Sequence, residues 1–102
     1  EGTTFSYPLD PRSLQTVAEV IEALESREEI AERYALAAYA AVEAWAEAVE
    51  AAGAPDFAAV TKAMDEHAFP TILGDIGFDE KGDSSVPQFV IYEWKSGKPV
   101  QR

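Results

Sequence analysis

Apolar residues recur every three or four positions over three stretches of the chain, a spacing that predicts three amphipathic helices. The first predicted helix follows Asp10, whose carboxylate can cap it, and Pro11, a residue favoured at the first helical position. This helix ends near Ser26, and its inward stripe consists of Leu14, Val17, Ala18, Ile21 and Leu24. One side of the helix is therefore predicted to cover a core.

The second predicted helix, Glu28 to Ala52, has the strongest helical pattern in the chain. From Ala31 onward half of its residues are alanine, which has the highest helix propensity and lets a neighbouring element approach closely. Gly53 is placed to end the helix in a left-handed conformation. The predicted inward face consists of Ile30, Tyr34, Ala38, Ala41, Trp45, Ala48 and Ala52. The predicted solvated face consists of Glu43, Glu47 and Glu50.

The third predicted helix starts after Pro55-Asp56 and ends at Pro70, because proline cannot continue the hydrogen-bond ladder. Its inward residues are Phe57, Val60, Met64 and Ala68. A strand at Thr3–Tyr7 precedes the helices, and two or three short strands follow them. The clearest is Gln88–Trp94, which turns at Ser96-Gly97 and returns as Lys98–Gln101. The segment Asp79–Asp83 is predicted to be a turn in which Asp79 caps its own backbone and Gly82 has a positive φ.

Eight basic and nineteen acidic residues give the chain a net charge of −11. Such an excess of negative charge argues against binding to nucleic acid, and equally against an anionic membrane surface. No apolar stretch approaches the roughly 20 residues of a membrane span, and the first residues lack the pattern of a signal peptide. The absence of cysteine excludes disulfides and thiolate metal sites.

Chemistry-bearing motifs are few. His67 is the only histidine, and Asp65 and Glu66 beside it do not share its helix face, so an exposed histidine at a helix end is favoured over a zinc ligand. The turn at Asp79–Asp83 superficially resembles a calcium loop, but the residue types that an EF-hand requires at its sixth and twelfth positions are missing. Neither a nucleophile elbow nor a glycine-rich phosphate loop occurs. We expect no metal, no cofactor and no enzymatic activity.

Three stretches together resemble the C-terminal part of a periplasmic solute-binding protein of the branched-chain amino acid ABC transporter type. These stretches are Tyr34–Trp45, Thr71–Asp83 and Phe89–Lys98. The middle one, Thr-Ile-Leu-Gly-Asp-Ile-Gly-Phe-Asp-Glu-Lys-Gly-Asp, is the most specific. A complete member of this type I, Leu/Ile/Val-binding-like group is several times longer, so the chain resembles a fragment of one.

The resemblance implies an α/β fold, with three helices and then two or three short strands, completed by dimerisation or segment exchange. Residues from about 8 to 70 would supply helices of the first lobe, and residues from about 71 to 102 the crossover and terminal strands of the second. Relatives usually have a loop containing glycine or proline before the alanine-rich helix, whereas residues 25–33 contain neither. Whether residues 25–33 form a loop or join two helices into one rod stays open.

The implied function is that of the substrate-binding component of an ABC transporter, which captures an amino acid or a related small organic acid for uptake. The implied partners are that solute and a membrane permease, and the implied location is the periplasm or the outer cell surface. In relatives the position matching Tyr34 is an aromatic residue near the cleft, so Tyr34 is the predicted ligand contact; packing in the core is its alternative role. The alternative function is a self-contained acidic α+β interaction module without a small-molecule site.

A fragment of this kind lacks the strands on which its helices would ordinarily lie. Leaving their apolar side chains open to water would forfeit about 10 kcal/mol, comparable to the stability of a whole domain. The side chains concerned are Val17, Ile21, Leu24, Val42, Trp45 and Val49. We therefore expect weak ligand binding by the isolated chain and its association as a homodimer.

Overall fold

The computed structural model describes residues 1–86 and 89–102 and contains three α-helices and five β-strands. In chain order these are β1 (Thr4–Pro8), α1 (Ala18–Glu25), α2 (Arg33–Ala52), α3 (Phe57–Glu66), β2 (Phe69–Thr71), β3 (Gly74–Ile76), β4 (Phe89–Lys95) and β5 (Lys98–Gln101). The α/β class and the three helices are as predicted. Four strands rather than two or three follow the helices, because residues 69–76 form an antiparallel hairpin of their own. Gln88, the predicted first residue of the fourth strand, lies outside the described residues.

The first helix begins later than the capping pattern predicts. Asp10 does accept a hydrogen bond from the backbone N–H of Arg12 (3.1 Å), but the turn that it caps is a 3-10 turn at Pro11–Ser13. Leu14 then adopts an extended conformation (ψ 135°), and a second 3-10 turn follows at Gln15–Val17. The α-helical hydrogen bonding therefore starts at Ala18, seven residues after the predicted first helical position, Pro11.

The end of α2 and the start of α3 agree with the predicted capping, whereas α2 starts at Arg33 rather than Glu28 and α3 ends at Glu66 rather than at Pro70. Glu28 lies between the first two helices with a φ of +60°, so residues 25–33 are not one continuous helix. Gly53 ends α2 with a φ of +73° and donates its N–H to the carbonyl of Val49 at 3.0 Å. The Asp56 carboxylate caps α3 by accepting from the N–H of Ala59 (3.0 Å). Helix α3 ends at Glu66, four residues before Pro70. Pro70 lies in β2, where it pairs with Asp75 of β3.

The helices and the β2–β3 hairpin share two clusters of buried residues. The first cluster comprises Val17, Leu36, Ala40, Ile72 and Ile76; the second comprises Ala48, Val60, Ala63 and Phe69. Helix α2 contributes to both through a stripe of four residues spaced four apart, Leu36, Ala40, Ala44 and Ala48. Because three of these are alanine, α3 and the hairpin can approach the helix axis closely.

The predicted inward faces of α2 and α3 are wrong in part. Of the aromatic residues expected in the core, Tyr34 is 80% exposed, Trp45 is 51% exposed and Phe57 is 86% exposed. Helix α2 is apolar on two opposite sides, and its small side, not its aromatic side, packs within this chain. In α3, Val60 and Met64 do pack toward the core as predicted.

Glu43 is also misplaced by the prediction, which puts it on the solvated face with Glu47 and Glu50. Its carboxylate accepts a hydrogen bond from the backbone N–H of Ile72 (2.8 Å), while Thr16 donates its hydroxyl to the Ile72 carbonyl (2.5 Å). Side chains from α2 and from the turns before α1 therefore hold the hairpin at one residue. Glu47 and Glu50 are exposed as predicted.

The remaining strands form an antiparallel sheet in the order β1-β4-β5. Its register pairs Phe5 with Tyr92, whose rings stack with centroids 5.8 Å apart. Ser96 and Gly97 join β4 to β5 with φ values of +51° and +75°. Two consecutive positive φ values are what a two-residue type I′ hairpin turn requires, and they confirm the predicted turn.

The molecule is thin and elongated for its length. Its radius of gyration is 16.3 Å, against about 13 Å for a folded 100-residue domain, and its principal extents are 52 × 36 × 16 Å. Of the six side chains that the missing strands would leave open, Val42 and Trp45 are exposed, but Val17 is fully buried, and Ile21, Leu24 and Val49 are half-buried. The chain therefore covers α1 better than expected and leaves the aromatic side of α2 open.

Candidate ligand groove

A groove of about 340 Å³ lies where the start of α2 meets the segment after β1 and the β2–β3 hairpin. Its lining is apolar apart from three side chains, Arg33, Tyr34 and Ser84. The apolar lining residues are Pro8, Leu9, Pro11, Leu14, Ala37, Leu73, Ile76 and Val86. Four separate chain segments thus contribute to one concave surface, which is the usual character of a small-molecule site.

Tyr34 reaches the groove from the first turn of α2. The helix starts after Glu32, whose backbone is extended and whose side chain makes no capping hydrogen bond. Tyr34 is 80% exposed, so it does not serve the core within this chain. The predicted position of Tyr34 at the start of the alanine-rich helix is confirmed, and its role as a ligand contact stays a prediction.

Arg33 lies beside Tyr34 and over the ring of Tyr7 in β1, with 5.0 Å between its guanidinium carbon and the ring centroid. A cation over an aromatic face is attracted by the negative potential of the ring. The contact links the start of α2 to the three-stranded sheet. A second groove, of about 570 Å³, adjoins Arg33 on the sheet side and is lined by Phe5, Tyr7, Tyr92 and Trp94, among others.

Arg12 forms an ion pair with the carboxylate of Asp10 at the edge of this region. Its Nε donates to Oδ1 at 3.0 Å and its Nη2 donates to Oδ2 at 2.7 Å. This hydrogen bonding holds the pKa of Asp10 below its ordinary value against the opposing effect of partial burial, and the charge of Arg33 acts in the same direction. Asp10 is therefore ionised and already paired at neutral pH.

The far wall of the groove is fixed by hydrogen bonds of the turn region. Ser84 bridges to Phe78, and the hydroxyl of Ser85 accepts from the N–H of Gly77 at 2.9 Å. The Asp79 carboxylate accepts from the N–H of Asp83 (2.9 Å), and Gly82 has a φ of +83°. These contacts confirm the predicted turn, in which Asp79 caps its own backbone.

His67 takes no part in the groove. It is exposed at the C-terminal end of α3, as predicted, and its ring meets Phe69 edge-on at 6.4 Å. Within residues 1–86 and 89–102, no three His, Asp or Glu side chains are grouped so that they could hold a metal ion. Over the same ranges, no helix has the length and apolarity that crossing a bilayer demands.

Sequence reasoning missed Arg33 as a groove residue. The signal available was a basic residue directly before Tyr34 in a chain with only eight basic residues. Its relevance depends on Tyr7 and on the hairpin, which are distant in sequence.

Comparison with known proteins agrees with the described fold. A family model described as periplasmic binding protein matches residues 2–99. The chain belongs to this periplasmic binding protein family. The match extends from β1 through the groove segments to β5, so the whole of this fold is family structure rather than an appended module.

Similar family members are proteins named for amino acid binding. The chain is 42% identical over 97 residues to Leu/Ile/Val-binding protein homolog 1 of Brucella abortus, covering 94% of this chain and 26% of that protein. It is 32% identical over 94 residues to an amino acid binding protein of Pseudomonas aeruginosa, covering 92% and 25% respectively. The chain therefore spans about a quarter of the length of these relatives.

Two solved structures share the fold. A leucine-binding protein from Thermotoga maritima superimposes with a TM-score of 0.66 at 22% identity, covering all of this chain and 30% of the other. An ABC transporter substrate-binding protein from Desulfitobacterium hafniense, solved in complex with Leu, gives a TM-score of 0.65 at 24% identity and covers 31% of that chain. The family member described here thus has the fold of one part of such proteins.

Proposed function

We propose that this chain is part of the substrate-binding component of an ABC transporter, which captures an amino acid or a related small organic acid for uptake. The observation that carries the proposal is the family match over residues 2–99, together with relatives named for binding leucine, isoleucine and valine. The apolar groove with a few polar groups supports a small solute. The proposed partners are that solute and a membrane permease, and the proposed location is the periplasm or the outer cell surface. No catalysis is part of the proposal.

We further propose that the chain contributes to both lobes of the larger protein. Because Ile72 and Ile76 are buried with the helices, the change of lobe would follow the hairpin rather than residue 71. Strands β1 and β4, which pair antiparallel, would then cross between the lobes. The groove adjoins β1, so closure of the two proposed lobes about β1 and β4 would cover it.

Calorimetric titration of the full-length protein that carries this segment tests the proposed function. We expect heat of binding from at least one member of a panel of branched-chain, aromatic and acidic amino acids and their deaminated acids. The 102-residue chain alone is expected to bind the same solute far more weakly, because it supplies only part of the cleft. If no member of the panel gives a heat of binding with the full-length protein, the proposal is wrong and the alternative function, an interaction module without a small-molecule site, is favoured.

Tyr34→Ala tests the predicted ligand contact. In the full-length protein we expect solute affinity to fall by about 10-fold, the typical effect of removing a contact worth about 1.4 kcal/mol. In the 102-residue chain, diluted until it is monomeric, we expect the free energy of unfolding to change by no more than about 0.5 kcal/mol, because Tyr34 is 80% exposed.

Tyr39→Ala is the matched control, since Tyr39 is a half-exposed tyrosine five residues further along α2 and outside the groove lining. Its replacement is expected to leave solute affinity unchanged. Equal affinity losses in the two variants would show that Tyr34 has no special role.

We also propose that the isolated chain associates with a second copy through its open apolar surface. The surface concerned is the aromatic side of α2, formed by Tyr34, Tyr39, Val42 and Trp45.

A further inference from the structure

Arg33 is the only cationic side chain in the groove lining, within the part of the chain that the structure describes. That lining contains no Asp or Glu, although acidic residues outnumber basic ones by nineteen to eight in the chain. A positive charge at the mouth of an apolar groove makes the groove complementary to a ligand with an anionic end and an apolar body.

The guanidinium of Arg33 keeps its N–H donors available. Among the described residues, the carboxylate of Asp10 is the acidic group that lines the adjoining groove with Arg33, and Arg12 already engages both of its oxygens. The Arg33 guanidinium forms no hydrogen bond or ion pair with another described residue. Its position over the Tyr7 ring uses the face of the aromatic system and no N–H donor.

The same contact with Tyr7 restrains the Arg33 side chain. An arginine held against an aromatic ring has already lost part of its rotamer freedom, so less entropy is lost when it binds a partner. A guanidinium presents its donors in a planar fork that matches the two oxygens of a carboxylate.

Resting on the proposed function, we propose that Arg33 contacts the ligand's carboxylate and makes this groove selective for carboxylic acids over their amides. The aliphatic body of such a ligand would lie against Leu14, Leu73 and Ile76. The ligand class is thus a small carboxylic acid with an apolar body. In this assignment Tyr34 flanks the ligand, while Arg33 fixes its orientation.

The test is calorimetry of the full-length protein with three ligands of one shape: leucine, 4-methylpentanoate, which lacks the amino group, and leucinamide, which lacks the carboxylate. Arg33→Gln is expected to lower affinity for the two acids by about 10- to 100-fold, as expected for the loss of a charge-assisted hydrogen bond. Affinity for leucinamide is expected to stay within about twofold. Arg33→Lys keeps the charge but loses the planar fork, so its affinities are expected to be intermediate.

Arg27→Gln is the charge-matched control, because Arg27 lies in the loop after α1, outside the lining of this groove. It is expected to change none of the three affinities. An equal loss for all three ligands in Arg33→Gln would reveal a purely structural role, and unchanged acid affinities would exclude contact; either result overturns the inference. If the unmodified protein binds none of the three ligands or the wider panel, the proposed function itself fails.

Discussion

Replacing Leu36 by alanine is expected to destabilise the 102-residue chain by about 2–5 kcal/mol. Leu36 is fully buried, and with Val17 it is the largest side chain that is so completely enclosed. It packs where α2, the turn before α1 and the β2–β3 hairpin meet, so its truncation removes contacts with all three. A domain of ordinary stability has about 5–15 kcal/mol in total, so the loss is a large fraction of it.

Urea denaturation followed by circular dichroism measures this effect, and Glu47→Ala is the matched control on the same helix. Glu47 is exposed and lies outside the aromatic side of α2, so its truncation is expected to change the free energy of unfolding by no more than about 0.5 kcal/mol. If the two variants unfold at the same urea concentration, the buried side of α2 has been assigned to the wrong face.

Local capping signals in the sequence placed the end of α2, the start of α3 and two turns, but not the starts of α1 and α2 or the end of α3. Gly53 and Gly82 have the positive φ values that their positions predict, and Asp56 and Asp79 accept the backbone hydrogen bonds expected of them. Each of these features depends on residues at most a few positions apart. Contacts over such short separations are the part of a fold that can be predicted most directly from a single sequence.

The direction in which α2 packs could not be predicted in the same way. Its sequence is apolar on two sides, and helical periodicity identifies apolar sides without saying which neighbour each one meets. Within this chain the alanine side packs, because α3 and the hairpin can approach small side chains closely. The aromatic side stays open and is the surface that a larger assembly would cover.

Contacts between distant residues explain the other differences. Glu43 reads as a solvated residue because its partner, the N–H of Ile72, lies 29 positions away. The groove likewise depends on residues that are distant in sequence, because Arg33 lies over Tyr7 and shares the groove lining with Leu73 of the hairpin. The resemblance to solute-binding proteins therefore identified the family and predicts Tyr34 as a ligand contact, whereas the position of Arg33 beside it required the folded chain.

The isolated chain is expected to be a dimer or a larger oligomer at micromolar concentration. The α2 surface of Tyr34, Tyr39, Val42 and Trp45 lies along one side of the helix and is 46% to 80% exposed at each residue. Fully burying one large apolar side chain contributes about 1.5–3 kcal/mol. Two copies bring eight such side chains together, which would contribute about 12–24 kcal/mol if all were fully buried. Their present partial burial and the free-energy cost of association reduce this gain, and a micromolar dissociation constant requires a net value of about 8 kcal/mol.

Light scattering coupled to gel filtration measures the mass of the chain, and one substitution tests the surface. Val42→Glu places a charge at the centre of the aromatic side and is expected to shift the chain to monomer, because burying an unpaired carboxylate is strongly unfavourable. Ala54→Glu makes the same charge change in the exposed turn after α2 and is expected to leave the mass unaltered. Association that survives Val42→Glu would have to use another surface.

The edges of the three-stranded sheet offer that other surface, but the two edges differ. Strand β5 carries Lys98 and Pro99, residue types that discourage strand addition at an edge, whereas β1 carries neither a lysine nor a proline before Pro8. Association through β1 would therefore persist in Val42→Glu and would instead be abolished by Ser6→Pro, which places a proline in this strand. A chain that stays monomeric without any substitution would show that the open side of α2 is stable in water, and the proposed self-association would then be wrong.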